Sequence, residues 1–497
     1  MKKKLLNGVK TLAITCRQFG DTGKGKFVDL FSEWADIIAR GLGGDNCGHT
    51  SWYNGQELVT HLIPSGIRDD KNGKINLIGS GVVFNPKTAI DELLELAAKG
   101  ISYDHLLIAL NAKLITPADI VMDRIKEAAA GSGKIGSTGK GIGPTYADVP
   151  DRQGLIVNDL INSNFFFAKL KRHLENKARV LRNFDQELIK QILDHQSLSS
   201  GIYYNPQTIF DTEAIYEQYL IYGRELQPMI TDTDDFMRQS LGKKNILLEG
   251  AQGDLLSVKH GTYPFVTSSD CTVAGLSEGV GLQKSDIDLS LGIIKGFYMS
   301  RVGCGPFPSE LGRDESDKWC NGGQGNRQRE LELYGQPPLN DPNEFLQGIA
   351  LRQAGNEYGA TTGRPRRVGW LDLPLLRYVL RFNSPDIILT KLDVLNDAEI
   401  IRICYQYEYC GPDFWLGNKR IKKGDEINEA IPYAEVLQHC RPLYSEFPGW
   451  QRSLAGCHSL EQLPPELKMI LQFVVDQTGI NPRIISIGAD RDETIFV

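Results

Sequence analysis

The feature that most constrains the fold is a glycine-rich turn that joins an apolar segment to an amphipathic one. The apolar segment is 11–16, and the turn that follows it reads Gly20-Asp21-Thr22-Gly23-Lys24-Gly25-Lys26. After the turn, apolar residues recur at helical spacing between Phe27 and Ile38. A strand, a glycine-rich turn and a helix in this order direct backbone N–H groups at one point, which suits a phosphate. The sequence therefore predicts a phosphate site where the first strand ends.

The turn is close to the phosphate-loop pattern G-x-x-x-x-G-K-[ST] but does not complete it. Phe27 stands where the pattern has the hydroxyl residue that binds magnesium, and a carboxylate, Asp21, lies within the loop. An anion in a phosphate cradle is costly unless a cation or a proton-transfer role compensates it. The loop therefore indicates a phosphate, a metal ion and a candidate base at one point. The alternative is an ordinary glycine-rich surface turn.

Composition excludes several classes of protein. The chain has 497 residues, of which 41% are hydrophobic and 24% charged, values typical of soluble globular proteins. Its net charge of −7 argues against a protein that coats nucleic acid. Nine cysteines without a C-x-x-C pair argue against a disulfide framework and favour the cytoplasm. No window of about 18 apolar residues occurs, so we expect no membrane span.

Short apolar segments alternate with helical patterns along the chain. We predict strands at 11–16, 35–40, 58–63, 75–78, 105–109, 245–249, 291–296, 387–392 and 483–487, with helices at 88–99 and 467–478. This alternation predicts a single α/β domain over 1–497, with a large, mostly parallel central sheet and helices on both faces. We also predict a helical excursion at about 160–245, an exposed insertion at about 312–347, and a small antiparallel patch at 396–441.

Two further glycine-rich loops follow the first one. The loop at 41–50 contains Gly48 and His49, and the loop at 131–144 combines glycine with lysine and hydroxyl residues. If the first two loops meet at the strand ends, Asp21 and His49 face one bound phosphate. A carboxylate and an imidazole are suitable partners for acid–base chemistry near neutral pH. The alternative is that His49 is a structural hydrogen-bond donor.

The tetrapeptide Thr390-Lys391-Leu392-Asp393 follows a predicted strand. It fits the [N/T]-K-x-D pattern that reads guanine, because one carboxylate can accept from both N1–H and the exocyclic amine of that base. Adenine offers no such pair of donors, and unpaired polar groups would cost about 1–3 kcal/mol. The pattern therefore indicates guanine nucleotide binding. The alternative is a salt-bridged loop.

The segment 359–367 carries three arginines and two threonines in a loop with glycine at 359 and 363. Guanidinium groups bind carboxylates and phosphates in a bidentate manner, so the loop is a candidate anion grip. The alternative is a solvated basic surface loop.

Together these motifs resemble the adenylosuccinate synthetase family. The resemblance extends over 61–66, 249–269, 301–308, 359–372 and 484–494. It implies a P-loop-GTPase-like nucleotide site in a GTP-dependent ligase. Such an enzyme forms adenylosuccinate from IMP and L-aspartate through a 6-phosphoryl-IMP intermediate, with Mg²⁺ as cofactor and GTP as co-substrate.

By this resemblance, Asp21 would remove the N1 proton of IMP and would also bind Mg²⁺, together with the backbone oxygen of Gly48. His49 would donate to the phosphoryl group that leaves GTP. Lys24 would bridge phosphates, and Gln252 completes the predicted catalytic set. The γ-phosphoryl group would move to O6 of IMP, and the amine of aspartate would then attack C6.

The resemblance also assigns residues to each substrate. The predicted IMP contacts are Asn46, Thr138, Gln252, Thr267 and Arg364. The loop that closes over aspartate comprises Ala360, Thr361, Thr362, Gly363, Arg364 and Arg366. The guanine end of GTP would contact Lys391, Leu392, Asp393, Ser486, Ile487 and Gly488. The remaining predicted nucleotide contacts are Gly20, Gly23, Gly25, Lys26 and Thr50. Arg152 would reach the IMP phosphate of a neighbouring subunit, which implies a homodimer.

Two positions near the first two loops differ from the family pattern, and Pro365 stands in the arginine loop where the family lacks a proline. Thr22 stands where glutamate is usual, and Asp45 stands where asparagine is usual. A new carboxylate near the base could alter the purine preference. Two alternatives therefore stay open at this point: a paralogue that acts on another 6-oxopurine nucleotide such as dGMP, and a non-catalytic nucleotide-binding paralogue.

Overall fold

A ten-stranded sheet runs through the centre of the protein. The structure is a computed structural model that describes residues 2–53, 56–68, 73–200, 207–323, 325–359 and 363–497. In spatial order the strands are Ile230–Thr231, Leu106–Ala109, Ile75–Ile78, Ile37–Arg40, Ile246–Glu249, Thr11–Cys16, Leu289–Lys295, Asp386–Thr390, Asn481–Ser486 and Thr494–Phe496. Each neighbouring pair is parallel except the last. The predicted α/β fold with a mostly parallel sheet is confirmed.

The central strands are apolar on both faces because both faces are covered. In the strand Thr11–Cys16, Leu12 and Ile14 pack on the face that carries Phe27 and Phe31 of the first glycine-loop helix. Ala13 points to the opposite face and packs in a cluster with residues of the helix Val273–Glu278. This alternation follows from the two-residue period of a strand. Helices therefore cover both faces, as predicted.

The described helices of at least six residues are Lys24–Ser32, Pro86–Ala98, Pro117–Ala129, Ile142–Asp151, Ser163–Leu181, Gln186–Ser200, Thr212–Leu226, Thr233–Ser240, Val273–Glu278, Arg313–Asn321, Arg327–Tyr334, Glu344–Gly355, Leu373–Leu380 and Pro465–Thr478. None of the helices in the described ranges has the length and apolar character needed to cross a membrane.

Smaller sheets and hairpins surround the central sheet. One comprises Tyr298–Arg301, Arg367–Asp372, Ile400–Tyr409, Glu426–Ile427 and Cys440–Pro448. Three short strands pair as Val83–Phe84, Lys113–Leu114 and Leu155–Ile156. The hairpins are His49–Tyr53 with Gln56–Thr60 and Phe414–Leu416 with Lys419–Ile421. The antiparallel patch predicted at 396–441 exists and extends to Pro448.

Two sequence predictions require correction at their ends. The strand predicted at 483–487 is not the last one, because Thr494–Phe496 returns antiparallel to it and extends the sheet. The predicted loop 131–144 ends earlier than expected, because its last residues begin the helix Ile142–Asp151. Gly141 precedes this helix with φ 82° and lies so close to Asp119 that a Cβ would approach the backbone at 3.0 Å.

The segment 312–347, predicted as an exposed insertion, is largely solvent-exposed but is not a loop. It contains the helices Arg313–Asn321 and Arg327–Tyr334 and the start of Glu344–Gly355. Polar contacts anchor it, since the fully buried Glu330 accepts hydrogen bonds from Trp319 Nε1 at 2.7 Å and Arg352 Nε at 2.9 Å. The sequence did not predict these helices, because a buried carboxylate anchors them and apolar residues do not recur along them at helical spacing.

The region 160–245 is helical over most of its described residues, as predicted. Its helices Ser163–Leu181 and Thr212–Leu226 contribute to a large apolar cluster together with Pro117–Ala129. This cluster also contains residues of the sheet strands Ile75–Ile78 and Leu106–Ala109, so it is a second core that packs on one end of the sheet.

A buried ion-pair cluster joins this second core to the helices before it. Asp119 is fully buried, and its Oδ1 lies 3.0 Å from Lys177 Nζ. His173 Nε2 lies 3.4 Å from Oδ2 of the same carboxylate, and Lys177 Nζ lies 2.7 Å from Asp148 Oδ2. The two aspartates and the histidine are close enough to hold a metal ion, but the lysine already supplies the compensating positive charge.

We expect Asp119→Asn to lower the free energy of unfolding by about 3–5 kcal/mol, because it leaves Lys177 buried with one anion fewer. The double variant Asp119→Asn/Lys177→Met should lose less than the sum of the two single variants. Denaturant and thermal unfolding of the four proteins measures the difference. Additive losses would contradict the ion-pair account.

Candidate active site

A cavity of about 200 Å³ lies at the edge of the sheet where parallel strands end. The loops that follow Thr11–Cys16, Ile37–Arg40 and Ile246–Glu249 all reach it. The predicted site residues that line it are Gly20, Asp21, Lys24, Asn46, Gly48, Thr138, Gln252 and Thr267. In open α/β sheets, ligands bind in crevices at the carboxyl ends of the strands. The sequence motifs, which lie up to 247 positions apart between Gly20 and Thr267, therefore converge as predicted.

The first glycine-rich turn has the backbone geometry of an anion site. Gly20 and Gly23 have φ of 90° and 84°, and the helix Lys24–Ser32 begins directly after them. A Cβ at Gly20 would lie 3.5 Å from the backbone carbon of Gln252, so the two loops are in close contact. Lys24 Nζ donates to the carbonyl oxygen of Gln252 at 2.7 Å. Lys24, the lysine of the phosphate-loop pattern, thus also connects the first glycine-rich turn to the loop that contains Gln252.

Asp21 has φ 52°, an uncommon conformation for a residue with a Cβ. Its Oδ2 lies 2.9 Å from Arg366 Nε, and 37% of its side chain is exposed. Desolvation raises the pKa of Asp21, but the charges of Arg366, Lys295 and Lys24 outweigh it and lower the pKa below its usual value. The carboxylate is therefore ionised at neutral pH and can accept a proton or bind a cation.

His49 lies between two anionic groups. Its Nδ1 is hydrogen-bonded to Glu249 Oε1, and its Nε2 lies 3.1 Å from Cys47 Sγ. Burial lowers the pKa of His49, but Cys47 and Glu249 together raise it above its usual value. Burial raises the pKa of Glu249, yet the charge of His49 brings it to about 2. The pKa of Cys47 is likewise brought to about 6, chiefly by His49 against the effect of burial.

Glu249 fixes the orientation of His49 through the hydrogen bond with its Nδ1. It is fully buried, and Ser65 donates to it from its backbone N–H at 2.9 Å and from Oγ at 2.8 Å. Sequence reasoning gave no role to Glu249, although it begins the stretch that contains Gln252. Its position at the end of a buried apolar strand was the available signal.

Gln252 lines the cavity. Its Nε2 donates to Asn46 Oδ1 at 3.2 Å, whereas its buried Oε1 has no hydrogen-bond partner within the described ranges. This Oε1 lies against Gly43, where a Cβ would approach it at 3.1 Å. The φ of Gln252 is 48°, which is again uncommon for a residue with a Cβ. A buried unpaired acceptor calls for an N–H or O–H donor, which a bound ligand can supply if the side chain turns toward the cavity.

The predicted guanine-reading residues lie at the ends of two neighbouring parallel strands, Asp386–Thr390 and Asn481–Ser486. Burial raises the pKa of Asp393, which Lys391 and Lys26 partly offset. Leu392 and Ile487 are buried, and Ser486 Oγ donates to the Gly488 carbonyl at 3.0 Å. The structure therefore brings the two predicted guanine segments to the same edge of the sheet.

Lys26 does not extend toward the phosphate loop. Its Nζ donates to Ser486 Oγ and to the Gly488 carbonyl, each at 2.8 Å. Burial lowers its pKa to about 8 against the opposing charges of Glu493 and Asp393. Lys24 and Lys26 point about 200° apart around the helix, so Lys26 is directed to the guanine segment while Lys24 lines the cavity. The predicted nucleotide contact of Lys26 stays a prediction.

Glu357 is a buried carboxylate that sequence reasoning missed. It is fully buried and contacts four side chains, those of Lys295, Tyr298, Arg366 and Lys391. Burial raises its pKa, but the three cations hold it well below its usual value. Its position just before the arginine loop was the only local signal.

Arg364 is not part of the cavity wall, although it was predicted to hold IMP and aspartate. Its Nε donates to the Cys320 carbonyl at 2.8 Å, and Nη2 is hydrogen-bonded to Asn321 Oδ1. These acceptors lie in the last turn of the helix Arg313–Asn321, where unpaired carbonyl groups attract cations. The insertion therefore binds this arginine in the structure.

Of the remaining predicted site residues, none that the structure describes lines the cavity. Arg152 is exposed at the end of the helix Ile142–Asp151 and does not line the cavity. Thr50 follows His49 in the strand His49–Tyr53, and Gly363 is exposed. Gly25 is buried in the first turn of its helix. Three predicted aspartate contacts fall outside the described residues, namely Ala360, Thr361 and Thr362.

The two positions that differ from the family pattern have structural roles. Asp45 is 3% exposed, and its Oδ2 accepts from Asn85 Nδ2 at 3.1 Å and from Thr88 Oγ1 at 2.9 Å. It thus lies against the start of the helix Pro86–Ala98, where a negative charge is favourable. Thr22 is fully buried, and its carbonyl accepts from Thr390 Oγ1 at 3.0 Å. Asp45 does not line the cavity, and its effect on purine preference stays a prediction.

Comparisons with known proteins identify the family of this chain. Residues 13–495 match the family model for adenylosuccinate synthetase. The chain is 39% identical to the adenylosuccinate synthetase of Geotalea uraniireducens, over 97% of this chain and 96% of that protein. It is 36% identical to that of an Exiguobacterium species, over 98% of this chain and 99% of that protein. The solved structure of fully ligated adenylosuccinate synthetase from Plasmodium falciparum is similar with a TM-score of 0.77 and 30% identity, covering 98% of this chain and all of that one. The chain belongs to the adenylosuccinate synthetase family.

Proposed function

We propose that this chain joins IMP and L-aspartate to form adenylosuccinate, with GTP as the phosphoryl donor. The observation that carries the proposal is the cavity that the ionised Asp21 lines together with Gly48 and Gln252, with the buried His49 directly after Gly48. Family membership over nearly the whole chain supports it. The proposed base Asp21, the proposed acid His49 and Gln252 all lie in segments that follow neighbouring parallel strands of the central sheet.

The chemistry starts at the purine ring of IMP. The oxygen at C6 is a poor leaving group until it is phosphorylated, and removal of the N1 proton makes it a nucleophile. Asp21 takes this proton, and a positioned general base contributes about 10²–10⁴-fold to rate. Asn46, Thr138, Gln252 and Thr267 hold the nucleotide. The unpaired Oε1 of Gln252 is suited to a donor on this ligand.

GTP binds on the neighbouring strand ends. The Asp393 carboxylate accepts from N1–H and the exocyclic amine of guanine, and the stem of Lys391 covers the base. Ser486 and Gly488 complete the guanine end, while Lys24 and the N–H groups of the first loop hold phosphates. His49 donates to the phosphoryl group as it leaves GTP for O6 of IMP. Aspartate then attacks C6 and phosphate leaves, in chemistry that depends on positioning and charge neutralisation.

Mg²⁺ fits the oxygen groups at the cavity. The carboxylate of Asp21 and the carbonyl of Gly48 belong to residues that line the same space, and hard oxygen ligands of this kind suit magnesium. When bound, the ion neutralises charge on the phosphates. Arg366 now compensates the charge of Asp21, so this arginine and the ion compete for the same carboxylate.

The remaining parts of the proposal concern aspartate, assembly and location. Thr361, Thr362, Arg364 and Arg366 close over the aspartate carboxylates, which requires Arg364 to leave the helix Arg313–Asn321. Arg152 reaches the IMP phosphate of a second copy of the chain in a homodimer, for which its exposure is a prerequisite. The enzyme works in the cytoplasm.

The proposal is tested by mixing the protein with IMP, GTP, Mg²⁺ and aspartate and following the absorbance of the 6-substituted purine. Activity with IMP is expected, and Asp21→Asn should lower kcat at least about 100-fold because the general base and one Mg²⁺ ligand are lost. A GTP analogue should still bind, since its guanine contacts lie in other segments. A variant that keeps its activity would refute the role of Asp21. Activity with dGMP but not IMP would establish the substrate-shifted alternative, and nucleotide binding without turnover would establish the non-catalytic one.

We expect Asp393→Asn to raise KM for GTP by about tenfold or more, because a carboxylate that pairs with two guanine donors is replaced by an amide. KM for IMP should change by less than about twofold, since the two nucleotides occupy different strand ends. Asp397→Asn, on an exposed carboxylate in the same segment, is the matched control. Equal increases in the two KM values would contradict the assignment.

The Glu249→Gln variant tests the protonation of His49. Because the Glu249 charge raises the pKa of His49, its removal should lower that pKa. The protonated donor is then lost at lower pH, so the alkaline limb of kcat should move to lower pH. Cys47→Ala should move it in the same direction. The control is Glu92→Gln, which removes a different buried carboxylate paired with His61. An unchanged alkaline limb would show that His49 does not act as a protonated donor.

A further inference from the structure

Glu357 connects the two halves of the proposed active site. Its Oε1 accepts from Tyr298 OH at 2.8 Å and from Lys391 Nζ at 3.0 Å. Its Oε2 accepts from Lys295 Nζ at 2.6 Å and from Arg366 Nη1 at 3.0 Å. Both oxygens of one fully buried carboxylate are therefore shared between several donors.

Two of these donors belong to rigid parts of the fold. Lys295 ends the central strand Leu289–Lys295, and Tyr298 begins the strand Tyr298–Arg301. Lys295 is fully buried and is also hydrogen-bonded to Ser300 Oγ. The carboxylate of Glu357 is therefore fixed from the side of the sheet.

The other two donors belong to the substrate loops. Lys391 lies in the guanine-reading segment, and its Nζ also donates to the Gly355 carbonyl at 2.6 Å. Arg366 lies in the arginine loop, and its Nε faces Asp21 Oδ2 at 2.9 Å. One guanidinium is thus divided between Glu357 and the proposed base. A continuous chain of charged contacts runs from Lys391 through Glu357 and Arg366 to Asp21.

We propose that Glu357 is a positioning residue that holds Lys391 for guanine and Arg366 against Asp21, and so couples the GTP site to the catalytic base. The proposal deepens and rests on the proposed function. Removal of the carboxylate charge releases both side chains together. Lys391 then loses the anion that fixes its ammonium group, and Arg366 loses the contact that sets its distance from Asp21.

The experiment compares Glu357→Gln with Asp372→Asn, which alters another fully buried carboxylate that accepts from Tyr407 OH and from the Leu375 N–H outside the predicted nucleotide contacts. Glu357→Gln should raise the Kd of a non-hydrolysable GTP analogue about tenfold and should also lower kcat about tenfold, since charge-assisted hydrogen bonds are lost at both ends. KM for IMP should change by less than about twofold. Asp372→Asn should lower the thermal midpoint but leave the Kd and kcat near wild-type values.

Combination with Lys391→Ala separates positioning from general destabilisation. In that background, Glu357→Gln should add no further increase to the Kd of the GTP analogue, because its effect on guanine passes through Lys391. It should still lower kcat, because its effect on Asp21 passes through Arg366. Additive changes in Kd, or a Glu357→Gln enzyme with wild-type Kd and kcat, would overturn the proposal.

Two further measurements keep the outcome decisive. If Glu357→Gln does not fold, Glu357→Asp keeps the charge with a shorter reach and should shift Kd and kcat in the same direction by less. Wild-type values in that variant would overturn the proposal. The Kd measurement requires no turnover, so a wild-type protein without ligase activity would refute the proposed function while the coupling to GTP remains testable.

Discussion

The charge of Asp21 is the constraint on which the rest of the site depends. A carboxylate in a turn that gathers N–H groups for phosphate would repel the ligand that the turn attracts. The structure resolves this conflict with Arg366, which lies against the carboxylate, and with Lys24 in the same turn. The arginine is in turn held by Glu357, so the compensating charge has a fixed place. Asp21 is thus matched by a cation that a second, buried anion orients.

His49 illustrates the same principle with opposite sign. A buried imidazolium is unfavourable by itself, yet Glu249 and Cys47 flank it on its two ring nitrogens. The charge of Glu249 is compensated by His49, and its carboxylate accepts hydrogen bonds from the backbone N–H and from Oγ of Ser65. Burial makes each of these charges costly alone and makes their mutual attraction strong. The surroundings of His49 raise its pKa and those of Asp21 lower its pKa, which favours the charged forms that the acid and base roles require.

Local patterns predicted the elements and the loops, and long-range contacts decided the rest. The apolar runs identified the parallel strands because both sheet faces are covered, and the glycine-rich turns identified the strand ends where Asp21, Asn46 and Gln252 meet. No spacing rule could show that Glu249 pairs with a histidine 200 positions away, or that Glu357 joins Lys391 to Arg366. These pairings arise only when the sheet brings distant strand ends together.

The effect of a residue that differs from the family pattern depends on the direction of its side chain. Asp45 is next to Asn46 in sequence, but successive backbone positions diverge, so its carboxylate serves the start of the helix Pro86–Ala98 while Asn46 lines the cavity. The insertion shows the opposite case, in which residues far apart in sequence contact one another. Its helix Arg313–Asn321 is remote from the phosphate loop in sequence, yet it holds Arg364, which the resemblance assigns to the substrates. Under the proposed assignment of Arg364 to the substrates, substrate binding would compete with the helix C-terminus for this arginine.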